Sequence, residues 1–242
     1  MCPRPCLLLA FALTAGIAHA EDADERPFKF TAGEYLLSGG GQPSDHALDL
    51  NLRNTSGLGN VWVGWYREHA SGFSQWRTGW DRSFDLGAVR VQPSLQLASG
   101  GFRGGSVYVE AGQDWVAGAG LGRTNLHPYA NLNFDPNDAI TLAAGRHWEG
   151  GDALMLQLIA DNREHPDQRH LHLNWRGGRP GHERLTLDLL AKQGTLDDGQ
   201  HIRRLGVSAT YDWPRWFVRV AWDPKVNFTP QDMLRLSGGA RF

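Results

Sequence analysis

The chain has 242 residues, with 24 basic and 26 acidic side chains, 41% hydrophobic residues, 30 Gly, 10 Trp and only 2 Cys. A formal charge of −2 excludes nucleic-acid binding carried by bulk charge. Both cysteines, Cys2 and Cys6, lie at the extreme start, which excludes a disulfide framework, a thiolate metal site and a cysteine nucleophile from everything after it.

In chain order, Arg4, the apolar run Leu7 to Leu13 and the small-residue ending Ala18-His19-Ala20 form a basic start, an apolar core and an A-x-A site. Residues 1–20 are therefore expected to be a secretory leader, 21–26 a short extension and 27–242 one domain of the 222-residue mature chain. The cysteines precede the apolar core, so no lipid anchor is expected. No later stretch approaches about 18 apolar residues, so no transmembrane helix is expected either.

From Pro27 onward one unit recurs: eight to twelve residues alternating apolar and polar, then Gly, Asn, Asp or Pro. Leu48, Leu50 and Leu52 alternate with Asp49, Asn51 and Arg53, and Trp76 and Trp80 with Arg77 and Asp81. Val89, Val91, Leu95 and Leu97 stand opposite Arg90, Gln92, Ser94 and Gln96, with Pro93 marking a bulge or split. Later, Leu171, Leu173 and Trp175 face away from His170, His172 and Asn174; Leu185, Leu187 and Leu189 oppose Arg184, Thr186 and Asp188. Trp216, Val218, Val220 and Trp222 oppose Arg219, and Leu234 and Leu236 oppose Arg235. Only 152–161 lacks clean alternation, and it is too short for a helical domain.

Fifteen segments start near residues 27, 45, 58, 73, 87, 103, 114, 127, 138, 152, 168, 182, 201, 215 and 233. A single-chain bacterial barrel needs an even number, so one segment is surplus, and 114–122 has the least distinct faces. The expected fold is all-β: one antiparallel transmembrane β-barrel of about fourteen strands, twelve being the alternative, with short turns and loops. A soluble sandwich also alternates, and aromatic placement separates the two. Trp216 and Trp222 share a face about 20 Å apart along a strand. With Trp76, Trp80 and Trp175 they suit the rims of a lipid-facing band.

The ending Met233-Leu-Arg-Leu-Ser-Gly-Gly-Ala-Arg-Phe242 resembles the last strand of bacterial outer-membrane β-barrel proteins. The resemblance implies an outer-membrane location, lipid as the surrounding partner, and Phe242 as part of the signal read by the barrel-assembly machinery. In size and rhythm the chain is similar to small channels such as the oligogalacturonate and sialic-acid porins, with no residue motif tying it to them.

With the polar face inward, the lumen receives Lys29, Arg53, Arg77, Arg90, Arg184, Arg204, Arg219, Arg235 and Arg241 against Asp45, Asp49, Asp81, Glu110 and Asp188. Arginine ladders select anions, which points to a passive channel for small anionic or polar solutes. The same residues can instead interlock as Arg–Asp pairs in a closed structural or accessory barrel, for envelope or exopolysaccharide assembly. A third class is a lipid hydrolase. The outer-membrane phospholipase and the lipid A deacylase use His-x-Ser followed by Asn, and His69-Ala-Ser71 matches the pair while Gly72 departs from the Asn. No orienting carboxylate is identifiable beyond the local Glu68, which faces the other way on a regular strand, so no enzyme is expected.

His170-Leu-His172 puts two imidazoles on one face, with His165 and His182 in flanking turns. Two ligands do not define a metal site, so these read as polar lumen residues and no metal or cofactor is expected. Asp161, Asp167, Asp197 and Asp198 read as solvated loop residues. With both chain ends periplasmic, 223–231, 193–200 and 161–168 face outside, and 212–214 and 176–181 inside; the odd segment prevents the same count in the N-terminal half.

Overall fold

A computed structural model describes residues 26–132, 135–178 and 182–242. The expected leader, all of the extension but Arg26, and part of the 176–181 turn lie outside the described residues. Alternation of the kind above turns every second side chain to the same face, and the segments become β1 (Phe28–Gly39), β2 (Gln42–Ser56), β3 (Gly59–Glu68), β4 (Ser74–Asp81), β5 (Phe84–Leu86), β6 (Val89–Ala98), β7 (Phe102–Gly112) and β8 (Trp115–Thr124). After a longer connection follow β9 (Ala139–His147), β10 (Ala153–Asp161), β11 (Arg169–Gly177), β12 (Arg184–Thr195), β13 (His201–Asp212), β14 (Trp216–Asp223) and β15 (Asp232–Arg241).

Apart from β4 and β5, which pair with β6 and not with each other, each strand pairs antiparallel with its sequence neighbours, and β1 pairs with β15 from Lys29↔Arg241 to Ser38↔Asp232, closing the wall. Phe28 and Phe242 exchange backbone hydrogen bonds of 2.9 and 3.0 Å and stack their rings at 5.8 Å, so both chain ends lie at one rim. We call this the terminal end and its opposite the distal end.

β4 and β5 occupy one stave, so the barrel has fourteen. β4 pairs with β6 up to Asp81↔Ser94 and β5 resumes at Phe84↔Val91. The break falls opposite Gln92 and Pro93. The Pro93 carbonyl accepts from the Arg82 N–H at 3.3 Å, and on that same side proline has no hydrogen to return. The split anticipated at Pro93 thus appears in its partner strand.

The surplus segment is not 114–122, which forms β8, but the one beginning near 127. Residues 125–132 and 135–138 make no strand, and residues 129–132 and 135 pack into the barrel interior. Pro128 and Pro136 cannot donate to a ladder, and Leu126 adopts a left-handed φ of 60°. Without this segment the two ends alternate through the whole chain. The turns at 57–58, 87–88, 113–114, 148–152 and 213–215 lie at the terminal end, and the three longest connections, from β8 to β9, β10 to β11 and β14 to β15, lie at the distal end.

The burial is inverted relative to a soluble protein. Leu142, Leu156, Leu189, Leu205 and Leu236 are exposed on the outer face, while Asp49, Arg77, Glu110, His170, Lys192 and Arg235 are buried. Such a continuous apolar exterior requires lipid. Tryptophans edge it at both ends: Trp80, Trp115, Trp175 and Trp216 at the terminal rim, Trp65, Trp76 and Trp222 at the distal one. Trp62 points inward instead and lies over Gly79, where an added Cβ would meet its ring at 2.5 Å.

Candidate functional site in the barrel interior

Two connections fold inward from the distal end. In the first, Tyr129 stacks on Phe102 of β7 at 4.3 Å and its hydroxyl accepts from the Gln96 amide. The Ala130 N–H donates to Gln75 Oε1 at 2.8 Å, and the Leu132 carbonyl accepts from Arg235 at 3.1 Å. Asp138 holds the base of the loop by accepting from the Thr124 N–H and hydroxyl and from Arg163. The second connection, 224–231, buries Val226 and Phe228, and Asn227 Nδ2 reaches the Asn131 carbonyl at 3.4 Å. Ala130, Leu132 and Val226 pack on the inward-facing Tyr35, Ala47, Tyr66 and Met233, so the distal lumen contains an apolar core.

Beside this core the lumen holds a cavity of about 390 Å³. Strand parity sends Lys29, Arg53, Arg77, Arg184, Arg219, Arg235 and Arg241 to its walls, with Asp49, Asp81 and Asp212. Two of these acids are engaged: Asp49 with Arg77 and Asp212 with Arg241. Asp81 accepts from Asn60 Nδ2 at 2.6 Å. Arg219 has a buried Nε with no hydrogen-bond partner among the described residues. Seven cations against three anions therefore leave the cavity positive. A second cavity of about 310 Å³ shares Arg184, Arg219 and Arg235 and extends to Asp188, Asp135 and His172.

Of the residues expected to line the lumen, Arg77, Arg184, Arg219, Arg235, Arg241, Asp49, Asp81 and Asp188 border these two cavities. Arg90 sits near the terminal end, bonded to Asp85 at 2.9 Å and 3.5 Å from Glu110. Arg204 stands apart: it is exposed where β13 outruns its pairing with β14, and its guanidinium donates to the Arg203 carbonyl. Asp45 serves a loop, accepting from the N–H groups of His46, Ala70 and Ser71.

Sequence reasoning missed Asp135. Its Oδ1 lies 2.5 Å from His170 Nδ1 and 2.9 Å from His172 Nε2, and His172 Nδ1 meets Asp188 at 3.0 Å. Burial acts to raise the Asp135 pKa, but His172 and His170 together outweigh it and hold the carboxyl below the usual range. No spacing pattern could link residues 35 positions apart; the only local signal was the Pro and Asn-rich composition of 125–138. His165 and His182 do not join this cluster.

At the lipase-like pair, the Ser71 hydroxyl donates to Glu68 at 2.6 Å rather than to His69. Asp161, expected as a solvated loop residue, is instead the buried last residue of β10 and accepts from the N–H groups of residues 163–165, while Asp198 accepts from Gln200 and Asp167 from the Thr195 hydroxyl, which lowers the Asp167 pKa.

No family model and no curated protein matches the chain. Among solved structures, the Acinetobacter baumannii outer membrane protein Omp33 is similar with a TM-score of 0.54 at 10% identity, over 91% of this chain and 100% of that one. A bacterial polysaccharide outer membrane secretin is similar with a TM-score of 0.51 at 10% identity, over 90% and 99% respectively. At such identities the likeness concerns the fold, that of porin-like outer-membrane β-barrels.

Proposed function

We propose that the chain is a passive outer-membrane channel favouring small anionic or polar solutes, with the inward-packed residues 129–132 and Asp135 as its constriction. The observation that supports this reading most is the positive cavity of about 390 Å³, in which seven basic side chains face three acidic ones, two of them already paired. A permeating anion exchanges part of its hydration for the Arg219, Arg53 and Lys29 side chains, while a cation meets repulsion. The terminal end, carrying Phe28 and Phe242, is periplasmic in this reading. Phe242 serves the assembly machinery, and Trp76, Trp80, Trp175, Trp216 and Trp222 sit at the lipid interfaces.

Single-channel recording of the refolded protein in planar bilayers tests the proposal. Discrete currents with a reversal potential favouring chloride over potassium are expected. Absence of current would support the closed structural barrel, whose interlocking pairs are Arg77–Asp49, Arg241–Asp212 and Lys192–Asp223. A cation preference would overturn the anion reading.

A further inference from the structure

We propose that Asp135, His170 and His172 form a site for a divalent transition metal of the zinc class, which fastens the inward loop to the barrel wall. The three donor atoms lie within 4.8 Å of one another. His170 and His172 are two apart on β11, so the strand itself aims both imidazoles inward, and the loop brings the third donor 35 residues distant in sequence. Asp135 and His170 are almost wholly shielded from solvent, and His172 largely so.

Two imidazoles and one carboxylate suit zinc, copper(II), nickel or cobalt, and poorly suit calcium or magnesium, which take oxygen ligands. The surroundings orient these donors. Asp188 lies 3.0 Å from His172 Nδ1; a proton held there by that carboxylate leaves the Nε2 lone pair directed at Asp135. His170 stacks against Phe228 of the second inward connection at 5.3 Å, which fixes its ring plane. A metal takes the lone pairs of His170 Nδ1 and His172 Nε2, so each neutral ring keeps its single proton on the other nitrogen, His172 on the Nδ1 that faces Asp188 and His170 on Nε2. The cavity of about 310 Å³, which both Asp135 and His172 border, adjoins these donors. Metal capture here depends on the cluster and not on whether the barrel conducts.

The test is titration of the refolded, chelator-treated full barrel with zinc by calorimetry, and with cobalt by visible absorption. One equivalent per chain is expected, with cobalt bands typical of a low-coordinate nitrogen and oxygen site. His172→Gln and Asp135→Asn should abolish the high-affinity equivalent. Asp188→Asn, one step removed from the metal, should weaken it by about 10- to 100-fold. Heat-modifiable electrophoretic mobility establishes that each variant is a folded barrel, and if Asp135→Asn fails to fold, His172→Gln decides alone. Zinc also should protect residues 125–138 from limited proteolysis in the wild type and not in His172→Gln. Failure of the wild type to take up either metal, or uptake unchanged in folded His172→Gln, overturns the proposal and leaves the cluster a hydrogen-bonded latch.

Discussion

Arg219 offers the sharpest handle on selectivity, because it borders both interior cavities and its Nε has no hydrogen-bond partner among the described residues. A sphere of the larger cavity's volume, 390 Å³, has a radius of about 4.5 Å. One unit charge at that distance from a permeating ion contributes about 0.9 kcal/mol even at the permittivity of water. The contribution favours an anion and opposes a cation, so Arg219→Gln should lower the anion-to-cation preference by about 1.8 kcal/mol, roughly 20-fold. Screening at 0.1 M salt, where the Debye length is about 10 Å, reduces this to roughly 7-fold, and at 1 M to roughly 2-fold. Reversal potentials across a KCl gradient, recorded at both mean salt levels, measure it. Arg204→Gln is the control, since that side chain is exposed near the distal rim and borders neither interior cavity. Unchanged selectivity of the Arg219→Gln channel at 0.1 M would show that this charge does not act on the permeating ion. A shift equally large at 1 M would mean a rearranged pore instead of a lost charge.

Asp49→Ala strands the buried Arg77 guanidinium and should cost about 3–5 kcal/mol in reversible urea unfolding, while the double variant Asp49→Ala with Arg77→Met recovers most of it. Equal loss in both would show that the pair is not what matters. Gly79→Val should destabilise by about 1–3 kcal/mol, because its Cβ would enter the Trp62 ring, and Trp62→Leu in the same chain should restore the loss. Replacing residues 126–137 by a short Gly-Ser turn should raise unit conductance; unchanged conductance would mean that this loop does not set the constriction. The lowered pKa of Asp167 arises first from the Thr195 hydroxyl. A folded value below the unfolded one stabilises above the ordinary carboxylate pKa of about 3.9, and the contribution fades as pH falls through the folded value. Thr195→Val should therefore move the Asp167 titration upward in carbon-detected NMR, and an unmoved titration would remove the hydroxyl as the cause.

How far the interior was legible in the sequence follows from what periodicity encodes. Arg77, Asp81, Arg184, Asp188, Arg219 and Arg235 could be assigned to the lumen because a strand turns alternate side chains to opposite faces and the other face is apolar. The same rule misled in the segment beginning near 127, where polar and apolar residues happen to alternate but residues 127–132 form no ladder. Its buried polar partners, Gln75 and Arg235, come from strands far away in the chain. Gln96 and His170 are likewise remote in sequence.

By itself the sequence determined the barrel, its closure near fourteen staves, the lipid-facing side and the inward arginines, since each is a local consequence of alternation and of turn residues at strand ends. Tertiary structure alone decided which acids neutralise which arginines, that Arg204 stands clear of the two interior cavities, and that two connections pack into the distal lumen. It also decided that Asp135 meets His170 and His172. Those contacts join residues tens of positions apart across a closed wall, and curvature, not local spacing, sets which side chains face one another across the interior.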